Sequence, residues 1–390
     1  MPGTQHRAYL FCMDFWSGIA TFRYEGFRRE VSVRAFLDLD LDLKVAVQNI
    51  WGFELFSLGQ REDLTLEVPG VQEPIRLLMS HWSSSDEHAI FTPRRSPVWR
   101  VLSRPLSRGR AALINFGGFD HRVLGERHLK LDGSGWSLTM IPIGDRTVEY
   151  PPVLQSDEHA FTHHLEFSRV DGAQFSADEM VEYLVNLTEF FSFCHGGWIG
   201  VGLALGIDQN GEVAVDEWGT NRFGPQDGLS GCLDRYQISA LQELHPLFMR
   251  RMEDDAWADT FGHVNYWLRR SSLENAGPDG GIILLQATLE RFAWHLLVRE
   301  QEALSERGFS DLTAADQLRL MLNALRLPKQ VPDGLEELIA FAKANGLDAA
   351  EAFTRVRNRI VHPPKLKVKD EQLPFYDVYR LGRWYLELAA

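Results

Sequence analysis

Near the middle of this chain the spacing of apolar residues changes from every second position to every third or fourth. That change restricts the fold to a sheet-forming half followed by a helical half. From Val31 to Val47 every odd position is apolar, while Arg34, Asp38, Asp40, Asp42 and Lys44 occupy even ones. Such alternation belongs to a strand with one dry face, and the run predicts a single long strand. Shorter alternations at 64–68, 128–131, 136–143 and 165–170 are separated by Pro69-Gly70, Gly117-Gly118 and Asp132-Gly133-Ser134-Gly135. Strands without intervening helical periods imply an antiparallel β-sandwich or related sheet over about 1–172.

Ser176 and Glu179 have the spacing of a helix capping box, and Met180, Tyr183, Leu184, Leu187, Phe190 and Phe191 follow at helical intervals. Beyond Gly196-Gly197, Asp208-Gln209-Asn210-Gly211 is a hairpin turn signal that returns the chain to the β layer. Strand patterning then ends. Ile282 to Val298 is apolar nearly all round and reads as a central buried helix, with further helices at about 313–326, 333–345, 348–362 and 373–390. The expected fold is therefore α+β: an antiparallel β-rich domain over 1–240, then an all-α bundle over 241–390.

With 390 residues and 45% apolar side chains, more than one core can be buried. The start Met1-Pro2-Gly3-Thr4-Gln5 lacks a signal peptide's basic and apolar regions, and the run Trp198 to Ile207 is too short to span a bilayer. A cytoplasmic protein without a membrane partner is expected. Three widely spaced cysteines, Cys12, Cys194 and Cys232, make neither a zinc ribbon nor a redox pair. His121, His128, His163 and His164 lack a third ligand at a suitable spacing and read as surface residues, and the three aspartates read as a solvated strand face. No metal and no cofactor are expected.

A net charge of −14 gives an average field that repels polyanions, so any nucleic-acid contact must be local. Residues 355–369 offer such a place: Arg355, Arg357, Arg359, Lys365, Lys367 and Lys369 occur there without an acid between them. The plainer reading is a solvated basic face. Within that stretch stands Arg357-Asn358-Arg359-Ile360-Val361-His362, closed by Pro363-Pro364. A histidine moves protons near neutral pH, and a guanidinium offers fixed charge and several donors to phosphate. Phe353, Val356 and Ile360 share the apolar face, which turns Arg355, Asn358 and His362 outward. Arg357 lies about 140° from His362 on a straight helix, so one helix alone does not bring the two together. A twofold copy would bring both pairs into one cleft.

This segment resembles the HEPN superfamily, whose signature is an arginine, then a polar residue that is often asparagine, with a histidine four to six positions past the arginine. The layout of a β-rich domain before such a bundle looks like the ApeA-like anti-phage defence proteins. The resemblance implies a homodimeric helical bundle acting as a metal-independent endoribonuclease in phage defence or as a regulated toxin. RNA, tRNA included, would be the substrate, with Arg357, Asn358 and His362 catalytic and Arg355, Arg359, Lys365 and Lys367 on the RNA. It also implies an acidic residue on an earlier helix, for which Glu290 is the candidate, with Arg357, Arg291 or Arg299 as partner or with simple exposure. The alternatives are an inactive HEPN module that binds RNA or nucleotide or only dimerises, and a β-sandwich that recognises protein or carbohydrate. The ligand of the β-rich domain is unknown.

Overall fold

The computed structural model describes residues 13–24, 27–38, 42–48, 64–83, 88–116, 128–143, 161–220, 239–272, 277–362 and 373–389. The chain is α+β, with antiparallel strands first and helices last. It divides into two compact units: the first runs to Pro246 except for Ser192–Gly197 and Gly228–Leu233, which group with Leu247–Ala390 in the second.

The first unit holds two β structures. Strands β1 (Met13–Tyr24), β2 (Phe27–Leu37), β3 (Leu43–Gln48), β4 (Thr65–Glu67), β5 (Ile75–Ser83) and β6 (His88–Pro93) form a closed barrel in the order β1-β2-β3-β6-β5-β4. The single long strand expected over 31–47 is in fact the hairpin β2–β3. Alternation hid the turn because Leu37 pairs with Leu43. Odd residues therefore face odd residues, and Val31, Val33, Ala35, Leu37, Leu43, Val45 and Val47 all enter the barrel core. The turn is held by Asp38, whose N–H donates to Asp42 O (3.0 Å) and whose Oδ1 accepts from Asp42 N–H (2.8 Å). Lys44 Nζ lies 3.5 and 3.6 Å from the Asp38 and Asp42 carboxylates, so these aspartates face a lysine. Asp40 lies outside the described residues.

The remaining strands, β7 (Val98–Val101), β8 (Arg108–Ile114), β9 (Leu129–Gly133), β10 (Trp136–Pro142), β11 (Phe161–Arg169), β12 (Gly200–Ile207) and β13 (Val213–Trp218), make a seven-stranded sheet ordered β7-β13-β12-β8-β11-β10-β9. The Asn210-Gly211 hairpin thus returns to the sheet as expected, pairing on β8 and β7. Helix α1 (Ala177–His195) begins with the predicted capping box: Ser176 N–H donates to Glu179 Oε2 (2.8 Å) and Glu179 N–H to Ser176 Oγ (3.2 Å). Its apolar face lies on β10 and β11, where Tyr183 stacks on Trp136 with ring centroids 4.3 Å apart. Trp218 stacks on Trp16 at 5.4 Å and joins the barrel core.

The second unit is helical: α2 (Ala240–Glu253, from Leu247), α3 (Asp255–Ser271), α4 (Gly277–Trp294), α5 (Glu306–Ser310), α6 (Ala314–Ala324), α7 (Glu336–Asn345), α8 (Ala349–Val361) and α9 (Phe375–Ala389). Helix α4 packs against α3, α6, α8 and α9, the central position its uniform apolarity predicted. By length and composition Gly277–Glu300 would suffice to cross a bilayer, yet 67% of its apolar 18-residue stretch is buried in the protein. A π-helical turn, His295–Glu300, extends α4 and buries His295 beside Trp257 (4.0 Å between centroids), with Nδ1 3.0 Å from Thr260 Oγ1. Burial pushes the His295 pKa below its ordinary value.

Close approach of α9 requires a glycine. A methyl group at Gly382 would lie 2.6 Å from Phe353 Cε2 and 3.2 Å from Leu285 Cδ1, both on fully buried side chains. Gly382→Ala should therefore cost about 1–3 kcal/mol in chemical denaturation, since a filled core admits a methylene only by strain. Phe353→Leu in the same chain should recover part of that loss. Strictly additive costs in the double-mutant cycle would show that the two positions do not touch.

Candidate functional site

Helix α8 carries the arginine–histidine motif, and its orientation is set at both ends. At its start Asp348 is the N-cap, accepting from Glu351 N–H at 2.8 Å. Arg319 of α6 holds the same carboxylate in a fork, Nε to Oδ2 at 2.5 Å and Nη2 to Oδ1 at 3.1 Å. It also reaches Asp316 and Glu351, each at 2.8 Å. Burial alone would raise the Asp348 pKa, but hydrogen bonds from Arg319 and from the Glu351 N–H hold it below the usual carboxylate value. Neither Arg319 nor Asp316 was singled out in the sequence, because a clamp between helices leaves no periodic trace. The three-residue spacing of Asp348 and Glu351 is a signal that could have found the cap, although the sequence reading did not use it.

Arg319→Ala should destabilise the helical unit by about 1–2 kcal/mol, discounted for partial exposure. Lysine should not restore it, because it lacks the planar fork. A lowered carboxyl pKa contributes stability that is present above the unfolded-state value and lost as pH falls through the folded one. The difference between parent and Arg319→Ala should therefore shrink below the ordinary carboxylate range. A difference unchanged by acid would show that the clamp is not electrostatic.

Along α8, Phe353 and Val356 are fully buried and Ile360 half-buried, so the apolar stripe faces inward as expected. Asn358 and His362 are exposed, and Arg355, Arg357 and Arg359 are half-buried. Arg357 Nη1 donates to Asn358 Oδ1 at 3.2 Å, while its Nε is enclosed and has no hydrogen-bond partner among the described residues. His362 is the C-cap: its N–H still donates to Asn358 O (2.8 Å), but φ −124° and ψ 75° take it off the helix. Pro363 requires this, since a residue before proline is disfavoured in the helical region. Lys365, Lys367 and Lys369 lie outside the described residues, as do Cys12, Cys232 and His121.

Glu290 is half-buried on α4 and accepts from Gln286 Nε2 at 2.6 Å. The two arginines weighed as its neighbours pair elsewhere: Arg291 with Asp259 at 2.6 Å and Arg299 with Glu306 at 3.0 Å. Glu290 and Arg357 thus each have a near partner on their own helix. The expectation of surface histidines fails for His163, which is 5% exposed, packs edge-on to Phe116 at 5.7 Å, and has Nδ1 3.0 Å from Thr162 Oγ1. It sits on β11 beside Thr162, next to a register shift that alternation alone does not reveal. Cys194 is buried. Trp257 is core, whereas Trp267 and Trp294 are half-buried.

Residues 254–390 match the family model described as the YopA C-terminal domain, and residues 103–228 that of the YopA central domain. No solved structure matches the chain. Among curated proteins it is similar to the SPbeta prophage-derived uncharacterized protein YopA of Bacillus subtilis (strain 168), with 22% identity over 354 residues that cover 87% of this chain and 78% of the relative.

Proposed function

We propose that the helical unit is a HEPN-type, metal-independent endoribonuclease that works as a homodimer in the cytoplasm, in phage defence or as a regulated toxin. The observation that carries this reading is the end of α8, where an exposed His362 leaves the helix next to an Arg357–Asn358 pair joined at 3.2 Å. A prophage-derived relative supports the connection with phages.

In this reading His362 exchanges a proton with the ribose 2′-hydroxyl or the leaving 5′-oxygen while the 2′-oxygen attacks the adjacent phosphorus. The bond from phosphorus to the 5′-oxygen breaks, leaving a 2′,3′-cyclic phosphate and a 5′-hydroxyl. Arg357 stabilises charge on the nonbridging oxygens, and Asn358, already bonded to Arg357, fixes where that guanidinium points. Arg355, Arg359, Lys365 and Lys367 would hold the flanking strand, and twofold pairing of α8 would supply the second histidine. The test is purified protein incubated with total RNA and with tRNA in EDTA, the products being assayed for cyclic phosphate ends. Cleavage that requires added divalent metal would sink the metal-independent assignment. Retained RNA binding with no cleavage would leave the inactive binding module.

A further inference from the structure

The first unit contains a cavity of about 390 Å³ walled by the β4–β5 connection, β5, the β6–β7 connection and β7. Three arginines line it, Arg76, Arg94 and Arg95, with Glu73 the one acid in its wall. Arg94 N–H donates to Arg76 O at 2.8 Å, which sets these two residues opposite each other. Like charges directly opposite on adjacent strands are destabilising unless something neutralises them. Among the described residues, none of the three arginines is in an ion pair. Elsewhere on the barrel arginines are paired, as Arg23 is with Glu67 at 2.9 Å. In a chain of net charge −14, three unneutralised guanidiniums around one hollow make a local anion trap within a repelling field. Apart from Gln72 the rest of the lining is apolar or aromatic: Ile75 and Val98 are buried, and Trp99 is half-buried.

We infer that this cavity binds a nucleotide, its phosphates on Arg76, Arg94 and Arg95 and its base against Trp99. The volume is within the ~300–1,000 Å³ of small-ligand pockets. Guanidinium forks suit phosphate oxygens, and every base offers a face for stacking on an indole. The phosphate-bearing base can come from a free nucleotide or from the end of an RNA strand. The site shares no residue with α8, so it stands or falls apart from the ribonuclease reading.

The full chain should be titrated with ATP, with a 5′-phosphorylated RNA hexamer and with inorganic phosphate, by calorimetry at low salt. Saturable binding of ATP or of the hexamer below millimolar concentration is expected, and the tighter of the two identifies the source. Arg94 and Arg95 are exposed, so alanine at either should leave the circular dichroism spectrum unchanged and should weaken that binding about tenfold. Trp99→Phe should keep most of the affinity, and Trp99→Ala should weaken nucleotide binding without changing that of phosphate. No saturable binding, or binding unaffected by the arginine substitutions, overturns the proposal. Inorganic phosphate binding as tightly as ATP overturns the nucleotide assignment.

Discussion

Alanine at position 362 should lower RNA cleavage by about 10²–10⁴-fold, the range expected when a positioned proton donor or acceptor is removed. The melting transition of the helical unit should not move. His362 is exposed and lies at the helix end, and its one structural bond is made by its backbone N–H to Asn358 O, which alanine retains. Loss of rate without loss of stability separates a chemical role from a structural one. Glutamine at 362 should not rescue, since it hydrogen-bonds without titrating. Arg357→Lys should also lose most of the rate, because one ammonium cannot reproduce both the bond to Asn358 Oδ1 and the grip on a phosphate. A His362→Ala protein that cleaves at the parent rate would remove this residue from the mechanism.

How much of this was legible beforehand depended on whether information lay along one element or between elements. The helices of the second unit, the box at Ser176 and Glu179 and the Asn210-Gly211 hairpin could be read because each is specified by neighbours a few positions apart. The β2–β3 turn could not, because its register keeps odd residues opposite odd ones and the pattern runs through it unbroken. Barrel closure by β4 on β1 is a pairing of residues more than forty positions apart, which alternation does not encode. The outward face of Asn358 and His362 followed from helical geometry, whereas Glu290 found Gln286 one turn back, a contact sequence spacing permits but does not select. The three arginines of the cavity come from separate places on β5 and on the segment after β6, and only the register of those strands gathers them.

A second large effect should come from pH acting on Glu217. This residue of β13 is 2% exposed in the core of the sheet unit, and burial pushes its pKa up to about 8, with the neighbouring Asp216 adding to the rise. The bulge in β12 accounts for its place there. Pairing between β12 and β8 shifts between Gly202 and Leu205, Leu203 takes φ +56°, and the Ala204 N–H donates to Glu217 Oε2 at 3.1 Å. Glu217 Oε1 is enclosed without a hydrogen-bond partner among the described residues, a state far less costly for a neutral carboxyl than for an ionised one. The folded form therefore keeps the proton while the unfolded chain releases it near pH 4.5. Between those two values unfolding liberates a proton, so stability falls by about 1.4 kcal/mol for each pH unit gained, and the full loss by pH 8 is on the order of 5 kcal/mol. Below the unfolded pKa there is no penalty, and above 8 it is constant. Glu217→Gln keeps an acceptor for Ala204 and cannot ionise, so its protection should not decline with the parent's. Hydrogen exchange of the β12 and β13 amides, compared between the two proteins at pH 5, 7 and 9, reads this difference free of the intrinsic pH dependence of exchange. Curves that stay parallel would mean that Glu217 is ionised in the folded protein, and that the strand pair opens enough to hydrate it.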